Sequence, residues 1–306
     1  MNISSRTISF MKYRWLYFAI SLLVIIPGLV SLATHGLKLS LDFTGGSLLE
    51  VQYPASQAEL FKSREQLQEA LGESYELSSL QASGEHQAIL RGKEINNEQK
   101  NQVIVKLMNA TFEPVNELRF ETVGPTLGKE LIQKTLVAIA IVAVGITLFV
   151  WHQFHNPKYG ISAILAMFHD TLVLLGSFSL LGWLMGIEVD VLFVTALLTT
   201  LSFSVHDTIV VYDRIREMSR KHPRTPYVEL VDAAVLETLG RSLNNSMTII
   251  IMLLALVLLG GDTIRWFGVA LLIGAITGTY SSTFTAAPLL LLWDDVQRWR
   301  QKKTQK

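Results

Sequence analysis

Two pairs of ionisable residues lie inside long apolar runs of this sequence: His169-Asp170 and His206-Asp207. Ionisable side chains are costly in hydrocarbon, so each one inside a membrane-length run is a candidate functional group. At about 1.5 Å of rise per residue, Asp170 is expected near the middle of its helix and Asp207 somewhat toward the arginine-rich end. Asp213 follows Asp207 beside arginines and is predicted to be an interfacial charge. A buried carboxylate of this kind could bind and release a proton.

Other polar residues are predicted to gather at the depth of Asp207. They are Thr200, Ser204 and Thr208 on the same helix, Arg241, Asn244, Asn245, Ser246 and Thr248 on the next, and Thr277, Thr279, Ser281, Ser282, Thr283 and Thr285 on the last. Together they describe a polar pocket that water and a proton could enter. Burial disfavours a charged carboxylate and a nearby guanidinium favours it, so a carboxylate balanced in this way could change its protonation state. A static Asp207–Arg241 pair that locks two helices is the alternative interpretation.

The histidines are predicted to have packing roles. A histidine one residue from an aspartate on a helix points about 100° away from it, so contact within each pair is not required. His152 and His155 are spaced as two metal ligands could be, but the sequence places no third ligand near them. Because a protein zinc site uses three or four protein ligands, no metal site is predicted.

The composition favours a membrane protein over a soluble one. Half of the 306 residues are hydrophobic, 17% are charged, and the mean hydropathy is +0.36. The 26 basic and 26 acidic residues balance, so the bulk charge predicts no nucleic-acid partner. The sequence has no cysteine, which excludes a disulfide framework, a thiolate metal site and a cysteine nucleophile. It also lacks the P-loop, zinc-protease and nucleophile-elbow motifs, so a hydrolytic enzyme is not predicted.

Six apolar runs are long enough to cross about 30 Å of hydrocarbon as helices. They are Trp15–Thr34, Leu131–Trp151, Ile161–Leu184, Val191–Tyr212, Ser242–Gly260 and Trp266–Trp293. Fifteen lysines and arginines lie on one side of the resulting topology, whereas the short loops on the other side contain Arg265 alone. Because cytoplasmic loops carry the excess of Lys and Arg, both termini are predicted to be cytoplasmic and the segment between the first two runs to be extracytoplasmic.

The polar segment between the first two runs has a β-α-β-β-α-β pattern, which is typical of ferredoxin-like domains. The predicted elements are strand Leu39–Tyr53, helix Gln57–Leu71, strands Glu76–Ala82 and His86–Leu90 around a Ser83-Gly84 turn, helix Asn97–Met108 and strand Pro114–Val123. Gly45-Gly46, shortly after Asp42, predicts a bend or a close backbone approach. Gly124-Pro125 and Gly128 are predicted to form the joint into the second membrane helix. A binding or mechanical role is predicted for this domain, with a plain spacer as the alternative.

The predicted fold class is therefore a polytopic α-helical membrane protein of six transmembrane helices. An extracytoplasmic α+β ferredoxin-like domain stands between helices 1 and 2. The predicted boundaries are 1–34 for the N-terminus and first helix, 35–130 for the outer domain, 131–293 for helices 2 to 6, and 294–306 for a basic tail.

Three motifs resemble those of a known family. They are Asp42-Phe-Thr-Gly-Gly, Gly124-Pro-Thr-Leu-Gly, and the run Val205-His-Asp-Thr-Ile-Val-Val-Tyr-Asp-Arg-Ile-Arg-Glu217. Together with the helix pattern, they make essentially the whole sequence similar to the SecF subunits of the bacterial SecD/SecF family. His206 stands where many members of that family carry Asn, and this makes the side chain before Asp207 titratable.

The resemblance implies one half of a membrane core of the resistance-nodulation-division type. Members of this kind pair with SecD and use the proton gradient to help unfolded preproteins finish crossing after the SecA-driven step at the SecYEG channel. The implied coupling ion is the proton, with no other cofactor, and the implied location is the lipid bilayer of the bacterial inner membrane.

The family's proton-relay residues fall on two residues already singled out by depth and chemistry. The relay aspartate falls on Asp207, and the relay arginine falls on Arg241, near the start of the fifth apolar run. The candidate neighbours of this relay are His206, Asp213, Asn244, Thr285 and Asp170.

A proton-driven exporter of small molecules or lipids from the same superfamily is the alternative function. Such exporters generally carry twelve helices and larger outer domains in one chain, whereas this sequence has six apolar runs and an insert of about a hundred residues. The missing motifs disfavour a membrane enzyme, and Asp207 with Arg241 disfavours a passive scaffold.

Overall fold

The computed structural model describes residues 9–72, 75–82 and 85–304. In chain order its elements are α1 (Arg14–Thr34), α2 (Leu41–Thr44), β1 (Gly46–Gln52), α3 (Arg64–Leu71), β2 (Leu77–Ala82), β3 (Gln87–Gly92), α4 (Asn97–Thr111), β4 (Asn116–Val123), α5 (Pro125–Phe154), α6 (Pro157–Met185), α7 (Val191–Lys221), α8 (Tyr227–Leu259), α9 (Asp262–Ser281) and α10 (Ala287–Thr304). The chain divides into two units: the membrane unit, Met1–Lys38 with Ala138–Lys306, and the insert, Leu39–Val137. The turn predicted at Ser83-Gly84 lies outside the described residues.

Six helical segments of the described chain are long and apolar enough to cross a membrane, which confirms the predicted number of spans. They are α1 with the short 3-10 turn before it, α5, α6, α7, α8, and α9 together with α10. Asn156 caps α6 by accepting a hydrogen bond from the Lys158 N–H, and Asp190 caps α7 by accepting one from the Phe193 N–H. Each cap satisfies a backbone donor that the helix leaves unpaired, so the sequence specifies these two helix starts locally.

Helix α8 begins earlier than hydropathy predicts. The fifth apolar run starts at Ser242, whereas the helix starts at Tyr227. Its first turns are amphipathic, with Leu230 and Ala234 buried among more polar residues. A search for long apolar runs does not detect amphipathic turns of this kind. Arg241 therefore lies inside α8, and the prediction that it marks the start of the fifth helix is wrong.

A π-helical turn, Ser282–Ala286, joins α9 to α10. Such turns interrupt the regular ladder of backbone hydrogen bonds and occur frequently at functional positions. The hydroxyl of Tyr212 on α7 donates to the carbonyl of Ala286 at 2.9 Å. The hydroxyls of Ser21 on α1 and Thr285 lie 3.4 Å apart. The turn therefore connects the last span to both α7 and α1 through side-chain hydrogen bonds.

The insert is a four-stranded antiparallel sheet in the order β2-β3-β1-β4, which confirms the predicted ferredoxin-like domain. In the two central strands Leu49 lies opposite Leu90. Both side chains are fully buried in one hydrophobic cluster with Leu67 of α3 and Leu107 of α4. Alternate strand residues point to the same face, so the apolar positions of β1 and β3 form a floor on which the two helices pack.

Two predicted elements of the insert differ in the structure. The predicted helix Gln57–Leu71 is a 3-10 turn, Ala55–Gln57, followed by α3, which starts at Arg64 because Ser63 caps it. The predicted strand Leu39–Tyr53 is α2 followed by β1. Gly45 and Gly46 turn the chain between these two elements with φ angles of +69° and +112°, which glycine adopts without steric cost.

These two glycines also lie where a side chain would not fit. A Cβ atom on Gly46 would stand 2.5 Å from the carbonyl oxygen of Gly92 on β3, and one on Gly45 would stand 2.9 Å from Cα of Pro125. A Cβ atom on Gly128, in the first turn of α5, would meet the backbone of α2. The glycines therefore allow α2, β3 and the start of α5 to come into backbone contact.

Gly46→Ala is expected to destabilise the insert more than Gly72→Ala, the matched control. Both glycines have a positive φ, and the Gly72 backbone (φ 61°, ψ −145°) lies in a region that only glycine adopts readily, but a Cβ atom there would face only the flexible end of Lys106 at 3.5 Å. We expect a loss of about 2 kcal/mol from backbone strain for Gly72→Ala, and of about 4 kcal/mol for Gly46→Ala, where the close contact with the Gly92 carbonyl adds to the strain. Denaturant-dependent proteolysis of the insert in the full chain measures both, and equal losses would contradict this account.

Candidate functional site

The carboxylate of Asp207 is buried in the membrane unit and has no hydrogen-bond or ion-pair partner among the described residues. Asp207 lies on α7, and 9% of its surface is exposed. It borders a small cavity whose other walls are Phe203 of α7, Asn245, Ser246 and Ile249 of α8, and Ala275, Gly278 and Thr279 of α9. A charge on Asp207 is therefore not balanced by a contact with any described residue.

The cavity beside Asp207 has room for about one water molecule. Its volume is about 20 Å³, and a water molecule needs about 10–15 Å³. Its walls include the amide of Asn245 and the hydroxyls of Ser246 and Thr279. The Thr279 hydroxyl lies 2.6 Å from the Ser246 hydroxyl. A water molecule here would find several polar partners and could pass a proton to or from Asp207.

Two glycines of α9, one of them the cavity wall Gly278, bring α9 close to α7. A Cβ atom on Gly274 would stand 2.5 Å from Cβ of Thr200, and one on Gly278 would stand 3.3 Å from Cα of Ser204, both on α7. Glycines four residues apart let the backbones of two membrane helices approach closely. Because Ser204 is one helical turn before Asp207, the contact closes the cavity on one side. The sequence analysis did not single out this Gly-x-x-x-Gly spacing, although the spacing itself is a recognisable signal.

Arg241 lies in a different cavity from Asp207. It lines a cleft of about 830 Å³ between α7 and α8 with Asp213, Arg214, Glu217 and Glu237. Arg241 precedes Asn245, a wall of the Asp207 cavity, by one helical turn, or about 6 Å along the axis. The described residues show no Asp207–Arg241 ion pair, so the direct pair considered from the sequence is not formed. Helical side chains lean toward the N-terminus of their helix, which inclines Arg241 away from the level of Asn245.

Asp170 belongs to a separate polar cluster between α6 and α9. Its side chain is buried, and one carboxylate oxygen accepts a hydrogen bond from the Ser281 hydroxyl at 2.6 Å. The other oxygen lies 2.8 Å from Nδ1 of His169. The sequence did not require contact within this pair, yet the imidazole turns back onto its neighbour. Asp170 thus has two polar partners, whereas Asp207 has none among the described residues.

The remaining candidate neighbours of Asp207 do not line its cavity. His206 and Asn244 are exposed on the surface of the membrane unit, Thr285 lies in the π-helical turn, and Asp213 lies in the Arg241 cleft. Asn245, Ser246 and Thr279 border the cavity instead. The sequence predicted Asn244, Asn245, Ser246, Thr279 and Thr285 near the depth of Asp207, and Asp213 at the interface. It did not predict which of them face Asp207, because this depends on how three helices rotate against one another.

Asp232 is a buried acidic residue that the sequence analysis missed. One of its carboxylate oxygens accepts a hydrogen bond from the backbone N–H of Met11 at 2.8 Å, and the other accepts one from the Ser9 hydroxyl at 3.4 Å. Met11 belongs to the 3-10 turn Phe10–Tyr13 that precedes α1. Asp232 therefore holds the beginning of the first span against α8. It went unnoticed because it lies in the amphipathic turns that hydropathy did not assign to a helix.

The fold and the site define a class: multi-pass membrane proteins with a ferredoxin-like domain after the first span. Residues 103–296 match the family described as protein export membrane protein SecD/SecF, C-terminal, and residues 30–53 match the SecD/SecF GG motif. The chain is 41% identical over 302 residues to protein translocase subunit SecF of Thermobaculum terrenum, with 94% of each chain covered. It is 40% identical over 292 residues to the SecF subunit of Anaerolinea thermophila, again with 94% of each covered. The chain belongs to the SecD/SecF family.

A solved structure of this family has the same fold. The crystal structure of SecDF, a translocon-associated membrane protein from Thermus thermophilus, superimposes with a TM-score of 0.79 at 29% identity. The match covers 96% of this chain and 40% of the SecDF chain. The present chain therefore corresponds to one part of a longer SecDF polypeptide and to nearly the full length of separate SecF subunits.

Proposed function

We propose that this chain is the SecF half of an accessory translocase that uses the proton motive force to promote late steps of protein export. In this proposal it pairs with SecD and acts on unfolded preproteins after the SecA-driven step at the SecYEG channel. It works as a transport component with the proton as its coupling ion. The observation that carries the proposal is the buried Asp207 carboxylate, which lacks a partner among the described residues and borders a water-sized cavity within a membrane helix.

The physical basis of the coupling is the cost of a buried charge. Moving an ionised carboxylate out of water without a counter-ion costs several kcal/mol, and binding a proton removes that cost. A proton that arrives at Asp207 changes the charge of the contact between α7, α8 and α9. Because a helix contact is either closely packed or separated, such a change can select between two arrangements of these helices. Proton entry and release would then drive movement of the insert.

The two cavities suggest the direction in which the proton leaves. The Asp207 cavity is bordered by Asn245, and the cleft of about 830 Å³ begins one turn away at Arg241. In this cleft Arg214 and Lys221 are ion-paired with Glu217, whereas Arg241 and Asp213 form no ion pair with the described residues. We place the proton exit there, with Arg241 as the charge that the leaving proton approaches. From the excess of Lys and Arg on this side, we infer that it is the cytoplasmic side of the bacterial inner membrane and that both termini are cytoplasmic.

The surface of α7 and α8 beside the Asp207 cavity is where we place SecD. His206, Asn244, Asn245 and Thr248 are exposed there, within two spans of membrane length. Lipid chains offer no hydrogen bonds to such side chains, whereas a second helical protein does. Asn245 is both exposed and a wall of the cavity, so a partner on this face would complete the enclosure of Asp207.

An exporter of small molecules or lipids remains the alternative, and the comparisons disfavour it. The relatives that match this chain along nearly its full length are named as translocase subunits.

Asp207→Asn is expected to reduce proton-driven export to the level of membranes that lack this subunit. The amide keeps the shape of the side chain but cannot gain or lose a proton. Asp213→Asn is the matched control and should keep most of the activity, because Asp213 is exposed in the large cleft. The measurement is translocation of a preprotein into inverted vesicles under a proton gradient. Full activity of the Asp207→Asn variant would contradict the proposed relay.

A photo-crosslinking residue at position 244 is expected to form an adduct with SecD, whereas one at position 141 is not. Asn244 lies on the polar face of α8, and Ile141 is 66% exposed on the apolar face of α5. Ultraviolet irradiation of membranes that contain both subunits, followed by mass analysis, identifies the adduct. A crosslink from position 141 with none from position 244 would contradict the proposed SecD surface on α7 and α8.

A further inference from the structure

A second cleft lies at the basic end of the membrane unit, next to the Arg241 cleft, with which it shares two lining residues. Its volume is about 630 Å³, within the range of about 300–1,000 Å³ that is usual for small-ligand pockets. The ends of five spans meet there. Phe154 ends α5, Tyr159 lies in the first turn of α6, Arg220 lies in the last turn of α7, Tyr227 begins α8, and Arg298 lies on α10. The segment that links α7 to α8 supplies the remaining side.

Among the described residues, the lining of this cleft carries five cations and no carboxylate: Lys158, Arg216, Arg220, Arg224 and Arg298. Two of them have partners nearby. Lys158 pairs with Asp294 at 3.4 Å, and Arg216 donates to the carbonyl of Gln153 at 3.1 Å. The guanidinium groups of Arg220, Arg224 and Arg298 form no hydrogen bond or ion pair with the described residues. The cleft therefore concentrates positive charge that the described residues neutralise only in part.

In the neighbouring Arg241 cleft, by contrast, positive side chains are paired with carboxylates. There Arg214 is paired with Glu217 and Glu237, and Lys221 is paired with Glu217 at 2.6 Å. The two clefts share Arg216 and Arg220 as lining residues, yet their other residues differ in charge. The Arg241 cleft contains a network of opposite charges, whereas the second cleft has cations that could bind an anion.

Aromatic rings and apolar side chains indicate that the anion comes from the membrane. The Lys158 ammonium lies 4.3 Å from the ring centre of Tyr227 and 5.3 Å from that of Tyr159. Tyrosines at helix ends are typical of the membrane interface. On α5, Leu148 and Trp151 precede Phe154 by about two turns and one turn, and both are more than half exposed. An acyl chain could lie along this face while its headgroup enters the cleft.

We propose that this cleft binds the phosphate headgroup of an anionic phospholipid. Guanidinium groups bind phosphate oxygens through paired, charge-assisted hydrogen bonds, and basic pockets between membrane helices are common sites for anionic headgroups. The bound lipid would join the ends of α5, α6, α7, α8 and α10 at one point of the interface. This binding goes beyond the export function and does not depend on the proton relay.

Native mass spectrometry of the full chain in detergent tests the proposal with two lipids, phosphatidylglycerol and phosphatidylcholine. We expect the chain to retain phosphatidylglycerol more tightly than phosphatidylcholine. The combined variant Arg220→Gln, Arg224→Gln and Arg298→Gln should lose this preference, by about fivefold per arginine and about a hundredfold in total. The control replaces three exposed lysines that lie outside the lining, Lys12→Gln, Lys129→Gln and Lys303→Gln, and should keep the preference.

Two further measurements keep the result interpretable. Lysine at the same three arginine positions should restore part of the preference, because it retains the charge but loses the planar fork. Thermal melting checks that each variant is folded. Equal retention of phosphatidylglycerol by the glutamine variant and the original chain would overturn the proposal. Displacement of the lipid by inorganic phosphate at an equal concentration would also overturn it, because the cleft would then recognise free phosphate.

Discussion

The membrane unit depends on how it buries one carboxylate, Asp207, to which no described residue forms a hydrogen bond or an ion pair. Asp207 stands within a span. Asp170, in the preceding span, is also buried but has Ser281 and His169 as partners. At Asp170, hydrogen bonds offset part of the free-energy cost of burying a charge, whereas no hydrogen bond from a described residue offsets that cost at Asp207. This difference makes Asp207, rather than Asp170, the group whose protonation would change the energy of the helix packing.

Close helix packing makes the rest of the site sensitive to that change. Gly274 and Gly278 bring α9 against α7 beside Asp207, and they leave room for about one water molecule. The π-helical turn at the end of α9 is hydrogen-bonded to Tyr212, further along α7. A shift of α7 would therefore be transmitted to α10. Where the space around a group is so small, a water molecule cannot be added or removed without a shift of the packed helices.

The sequence predicted the features that local patterns encode and missed those that depend on tertiary contacts. Long apolar runs predicted six spans, and the alternation of apolar and polar residues predicted the strands of the ferredoxin-like insert. Both signals arise because burial of apolar side chains leaves a pattern in the sequence. Apolar run length did not predict the amphipathic first half of α8, so Arg241 was placed at a helix start and Asp232 was missed. The sequence placed Arg241 and Asp207 at a similar depth in the membrane, but in the structure their side chains line two different cavities. The residues around Asp207 depend on helix rotation, which no single periodicity specifies.

Infrared difference spectroscopy of the subunit reconstituted with SecD can show directly whether Asp207 binds a proton. Acidification of the medium on the insert side should produce a band from a protonated carboxylic acid in an apolar environment. The account predicts that this band is lost in Asp207→Asn and is kept in Asp170→Asn, because only Asp207 lacks a partner among the described residues. A band that persists in Asp207→Asn and disappears in Asp170→Asn would contradict the account and assign the proton to the Asp170 cluster.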